Sequence, residues 1–170
     1  DVQCLPAELH NRPEKIPAAV RAQIAAHRGR YQHMYVVYAD CGTGGALDRV
    51  LEEEHIERIA GAHCYGFYAG SAAFAQLHDD EPGTFYLTDF LLRHFERLVM
   101  GALGLDRHPE LRDTYFGNYK RLVFLAQLPP TDETLAQARA AAERLGLALE
   151  VRHTGYGELE SSLKAVAWHH

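Results

Sequence analysis

Met34-Tyr35-Val36-Val37-Tyr38-Ala39-Asp40-Cys41-Gly42-Thr43-Gly44-Gly45, followed by the stretch from Ala46 to Glu54, decides the reading of this chain. Met34 to Ala39 is an uninterrupted apolar run, the mark of a strand covered on both faces. Ala46 to Glu54 is amphipathic through Leu47, Val50 and Leu51, and the glycines between the two segments supply a tight turn. Strand, glycine turn and helix in succession make a parallel α/β unit, and such sheets gather ligand sites at the carboxyl ends of their strands.

The same alternation extends outward in both directions. Pro17 to about Arg28 reads as a helix with Val20 and Ile24 on its apolar face, and Ile56 to Ala60 as a weaker strand leading into Gly61-Ala62-His63-Cys64. A helix is expected from Tyr65 to about His78, a strand over Thr84 to Leu87, and a long helix capped by Thr88-Asp89 and running to about Leu103. Leu111 to about Lys120 reads as a helix, Arg121 to Gln127 as a buried strand, Thr131 to Leu145 as a helix stopped by Gly146, Leu147 to Arg152 as a strand, and the stretch from about Leu159 as a terminal helix. About five strand–helix repeats without linker or low-complexity segment predict one α/β domain over residues 1–170. The expected architecture is a three-layer, Rossmann-like, mostly parallel sheet with helices on both faces.

With 170 residues, 47% hydrophobic and 24% charged, the composition is that of a soluble globular chain. No apolar run approaches the roughly 20 residues that span a bilayer, so no membrane association is expected. A formal charge of −6 without a Lys/Arg cluster argues against nucleic acid as a partner. Three cysteines cannot all pair within one chain, which favours a reducing cytoplasm. Asp1-Val2-Gln3-Cys4 reads as the end of a strand whose beginning lies upstream, and His169-His170 carry no functional weight.

Cys4, Cys41 and Cys64 each follow an apolar, strand-like run. At the carboxyl edge of one parallel sheet their sulfurs would converge, and thiolates so close call for a shared cation, with Zn–S bonds of about 2.3 Å. Cys4, Cys41, Cys64 and His63 are therefore the candidate metal ligands, with His10 a further candidate. Cys41 points at the amino end of the following helix, where the dipole and free backbone N–H groups favour a thiolate, making it the candidate nucleophile. Gly42, Thr43, Gly44 and Gly45 would let an anionic cofactor approach the backbone, although neither G-x-G-x-x-G nor the P-loop lysine is present. Asp89, at another strand end, is a candidate cofactor-binding carboxylate, with helix capping as its simpler role. His153, Tyr156 and Glu158 form a polar cluster beyond the last strand. The bland alternative is a tight turn and three unrelated packed thiols, since free cysteine is among the most buried residue types.

Six segments, CLPAELHNRPEKI, DCGTGGALD, GAHCY, FYLTDFL, LGLDRHPELRDTYFGNYKR and TGYGELE, together resemble the uncharacterised family known as domain of unknown function 1638. The resemblance implies an α/β protein whose relatives often carry a further cysteine-containing strand upstream. It also implies an association with corrinoid-dependent methyl transfer and one-carbon pathways, with corrinoid-linked methyltransferase proteins or a small-molecule substrate as partners. On that footing the expected function is cysteine-ligated binding of zinc or an iron–sulfur cluster. A metal-free Cys41 nucleophile and a phosphate- or cofactor-binding module with structural cysteines stand as alternatives.

Overall fold

Ile16, Val20 and Ile24 recur every four residues, so a helix carrying them presents one apolar stripe to whatever covers it. The computed structural model describes residues 1–168, and His169 and His170 lie outside the described residues. Backbone contacts divide the chain into two compact units, Asp1–Cys64 with the segment from Glu160, and Tyr65–Leu159. The protein is a mixed α/β chain with two small parallel sheets flanked by helices. No helix among the described residues is long and apolar enough to cross a membrane.

In the first unit, the proline-interrupted opening forms short 3-10 turns at Ala7–Asn11 and Pro13–Lys15. Helix α1 (Ile16–His27) then buries Ile16, Val20 and Ile24 against Leu47 and Leu51 of α2 (Ala46–Glu54), with Leu9 beside them. Each such aliphatic side chain stabilises the unit by about 1.5–3 kcal/mol. Arg21 and Arg28 pair with exposed Glu53 and largely covered Glu54 of α2.

Strand β1 (Tyr35–Val36) pairs in parallel with β2 (Glu57–Arg58), Tyr35 opposite Glu57 and Val36 opposite Arg58. The apolar run predicts a longer strand, covered on both faces. Val37, however, is 43% exposed, so the run lacks the second cover that a continuous apolar strand implies. The register nevertheless persists beyond the regular pairing: Ile59 N–H donates to Val36 O, Asp40 N–H to Gly61 O at 3.0 Å, and Cys41 N–H to Ala62 O at 2.8 Å. Arg58 braces this edge, with Nε 2.5 Å and Nη2 3.0 Å from the Asp48 carboxylate oxygens and Nη1 donating to Ile59 O.

The second unit is built on β3 (Thr84–Thr88), β4 (Arg121–Ala126) and β5 (Ala148–His153), all parallel in the order β3-β4-β5. Leu122 to Ala126 are all fully buried, as the central strand of three requires. The expected helix from Tyr65 is two, α3 (Cys64–Ala69) and α4 (Ser71–Asp80), parted at Gly70. Glu158 seals the break by accepting Ser71 N–H at 2.8 Å and Ser71 Oγ–H at 2.6 Å. Gly157, at the start of α8 (Gly157–Trp168), lies against the end of α3, where a Cβ would come within 2.3 Å of Tyr68 O. Only glycine fits that approach.

Helix α5 (Asp89–Arg93) is capped by Thr88, as its sequence predicts, but stops far short of Leu103. A widened π-type turn at Glu96–Gly101 follows and buries Leu98, Val99 and Met100. Three consecutive apolar residues cover an arc too wide for one stripe of a regular helix. The helix expected over 111–120 is a 3-10 turn at Pro109–Leu111 followed by α6 (Arg112–Phe116). Helix α7 (Asp132–Leu145) carries a capping box between Thr131 and Thr134 and ends at Gly146.

Candidate functional site

The parallel register of the first unit brings two of the three cysteines together. Continuing the ladder from Tyr35–Glu57 through the hydrogen bonds at Asp40 and Cys41 sets Cys41 opposite His63, one residue before Cys64. The Cys41 and Cys64 side chains lie within hydrogen-bonding reach of one another. That contact is the main reason the Cys41 thiol is lowered to about 7; the backbone N–H groups of Cys64 and Ala39 add to it, while burial and the Asp40 charge oppose it. The thiolate at this pair is thus favoured over that of an ordinary cysteine.

Cys41 also has φ +49°, a left-handed conformation that side-chain-bearing residues seldom adopt. Strain of this kind is kept only where surrounding structure enforces it, and it clusters at functional turns. Here the enforcement is visible on both sides. Cys41 N–H is tied to Ala62 O, and the turn that follows is wound around Asp40.

Asp40 fills the glycine loop from within. Its carboxylate accepts Thr43 Oγ1–H at 2.5 Å, Gly45 N–H at 2.8 Å and Gly44 N–H at 3.2 Å. These donors, the Thr43 hydroxyl foremost, hold its pKa below the usual carboxylate range. Gly42, Gly44 and Gly45 all take positive φ, which lets successive N–H groups point inward. The donors expected to meet an external anion are thus engaged by the chain's own carboxylate, which an incoming phosphate would have to displace. An aspartate followed closely by Thr and Gly is a legible signal for such a side-chain-closed turn.

Tyr38 was not singled out by its sequence, yet it lies within electrostatic range of the three cysteines. Burial raises its phenol pKa first, followed by the negative charges of Cys41, Cys64 and Cys4. All three cysteines therefore act on one half-buried ring, although Cys4 is itself exposed. The only available signal was a hydroxyl-bearing residue inside an apolar run, three positions before Cys41. His63 is exposed in the register position opposite Cys41, and His10, in the first 3-10 turn, has its pKa lowered by desolvation.

Among the described residues, no group of three His, Cys, Asp or Glu side chains is arranged to hold a metal ion. Structural zinc sites use four ligands and iron–sulfur clusters four cysteines, so the adjoining thiols of Cys41 and Cys64 fall short of a closed site.

Asp89 belongs to the second unit and is engaged there. Its carboxylate accepts Gln127 N–H at 2.6 Å and Leu128 N–H at 3.0 Å, while Gln127 Oε1 accepts Asp89 N–H at 3.0 Å. Glu158 is held by Ser71, as described, and His153 and Tyr156 are exposed.

No curated protein and no solved structure matches the chain. The family model described as protein of unknown function (DUF1638) matches residues 4–163, almost the whole length, and the segments carrying Cys4, Cys41 and Cys64 all fall inside that match; the chain belongs to this family.

Proposed function

We propose that this protein acts through the Cys41 thiolate, a nucleophile held at the strand-to-helix turn with Cys64 as its hydrogen-bonding partner. The observation that carries this reading is the closeness of the Cys64 side chain to Cys41 at a left-handed turn, which favours a thiolate and presents Cys41 just past the strand end. The resemblance gives a direction for the substrate, a methylated or other one-carbon compound whose electrophilic carbon a thiolate would attack. Rossmann-like three-layer packing would suit that role, because it collects strand ends at one rim. A reducing, cytoplasmic setting suits three cysteines outside any disulfide.

Alkylation with iodoacetamide from about pH 5 to 10, read by peptide mapping, tests the nucleophile. Cys41 is expected to react first, with a rate that rises to half its maximum near pH 7. Equal labelling of Cys4, Cys41 and Cys64 at neutral pH would sink the reading.

A second reading, a shared soft metal ion, is favoured by the closeness of the Cys41 and Cys64 thiols. Cys41 and Cys64 would be its first thiolates, with Cys4 and His63 the next donors to recruit, and such an ion would supply Lewis acidity or electron transfer when bound. Stoichiometric zinc or iron in freshly isolated protein, lost in Cys41→Ala and Cys64→Ala, is the expected result.

A further inference from the structure

We propose that Cys41 and Cys64 are a redox-active dithiol whose substrate class is a disulfide, with Cys41 attacking and Cys64 resolving. This rests on the reading of Cys41 as a nucleophile and adds to it a second cysteine, a substrate class and a product.

The geometry comes from the ladder. Asp40 N–H to Gly61 O and Cys41 N–H to Ala62 O hold the two strand ends in the same register as the Tyr35–Glu57 and Val36–Arg58 pairs. Cys64 follows directly on the register partner of Cys41 and opens α3, and the two side chains lie within hydrogen-bonding reach, the close approach that a disulfide requires. Both are half-buried, whereas Cys4 is exposed. The pair is joined by chain-distant strands held in register, so closing it requires no new segment to approach.

The chemistry balances with an external disulfide as oxidant. The Cys41 thiolate attacks one sulfur of that disulfide; the S–S bond breaks, and the departing thiolate takes a proton from solvent. Cys64 then gives up its proton and attacks Cys41 Sγ in the mixed disulfide, forming the Cys41–Cys64 bond and expelling the second thiol. The external disulfide gains two electrons and two protons, and the Cys41 and Cys64 thiols lose them.

Hydroxyethyl disulfide, added to the reduced full-length chain in the presence of a chelator, is the test. The expected outcome is loss of two of the three alkylatable thiols, no retained adduct, and a peptide pair linked through Cys41 and Cys64. Cys64→Ser is expected to stop at an adduct on Cys41, and Cys4→Ser to behave as the parent. An adduct that persists on Cys41 of the parent chain, with Cys64 still alkylatable, would overturn the dithiol and leave the nucleophile standing. Modification of Cys4 alone would overturn both, and a bond from Cys4 to either partner would overturn the pairing. The parent-chain measurement needs no variant, so a poorly folding substitution cannot obscure it.

Discussion

Two strand ends in this molecule carry an aspartate at the passage into a helix, and they are put to different uses. After β3, Asp89 and Gln127 exchange hydrogen bonds between side chain and backbone, locking the end of one strand to the next. After β1, Asp40 turns back on its own loop and ties Thr43, Gly44 and Gly45, leaving the adjacent Cys41 in a left-handed conformation beside Cys64. The first arrangement closes a five-residue ladder over buried β4; the second ends a ladder with two regular pairs. The contrast teaches that one local device, a carboxylate gathering N–H groups at a strand end, either seals a sheet or holds a reactive residue. What decides is whether the donors come from the neighbouring strand or from the loop itself.

The largest effect that tests this contrast belongs to the sealed region. Phe124 is fully buried at the centre of β4, and Phe124→Ala removes a large side chain whose space cannot fully collapse. A loss of about 3–5 kcal/mol in unfolding free energy is expected. Denaturant unfolding measures it, and iodoacetamide labelling of the variant while folded is expected to keep the Cys41 midpoint near 7. A shifted midpoint would break the separation between a stabilising region and a reactive one.

Cys64→Ala comes next, because it removes the largest influence lowering the Cys41 thiol. The pKa is expected to rise toward the ordinary cysteine range of about 8.5, cutting the thiolate fraction at pH 7 roughly tenfold. Stopped alkylation series at several pH values would show it. An unchanged midpoint would mean that backbone donors alone sustain the thiolate.

Backbone strain offers a smaller effect. At φ +49° glycine is at ease and alanine is not. Cys41→Gly is therefore expected to be more stable than Cys41→Ala by about 1 kcal/mol. Two denaturation curves decide it, and equal midpoints would show that the turn relaxes once the sulfur is gone.

How far these features were legible in the sequence follows the same division. The α2 boundaries, buried β4, the Thr88 cap and the stop at Gly146 are local consequences of apolar period and capping chemistry, and sequence reports such things directly. The placement of Cys41 beside Cys64 was legible through the strand–turn–helix pattern, because a parallel register brings strand ends together. The short regular extent of β1 was not, since an apolar run does not say how many of its faces will be covered, and Val37 is left exposed. Nor was the occupation of the glycine loop by Asp40: the loop reads alike whether its N–H groups await a ligand or hold their neighbour's carboxylate. Tyr38 escaped because the charges that act on it come from three segments distant in the chain.

Asp40 provides the finest test, since it acts on stability and on sulfur in opposite senses. Its folded pKa lies below the unfolded value near 4, so its contribution to stability is fully present above that value and is lost as pH falls through the depressed folded pKa. Asp40→Asn is expected to be slightly less stable at neutral pH and to show a shallower loss of stability in acid, because the titrating group is gone. The same substitution removes a negative charge that opposes the neighbouring thiolate, so the Cys41 pKa should fall a little from about 7. Acid unfolding followed with alkylation on one preparation separates the two consequences. A rise in the Cys41 pKa would show that the loop shape Asp40 maintains matters more to the sulfur than the charge it carries, and would make this strand end as structural as its counterpart at Asp89.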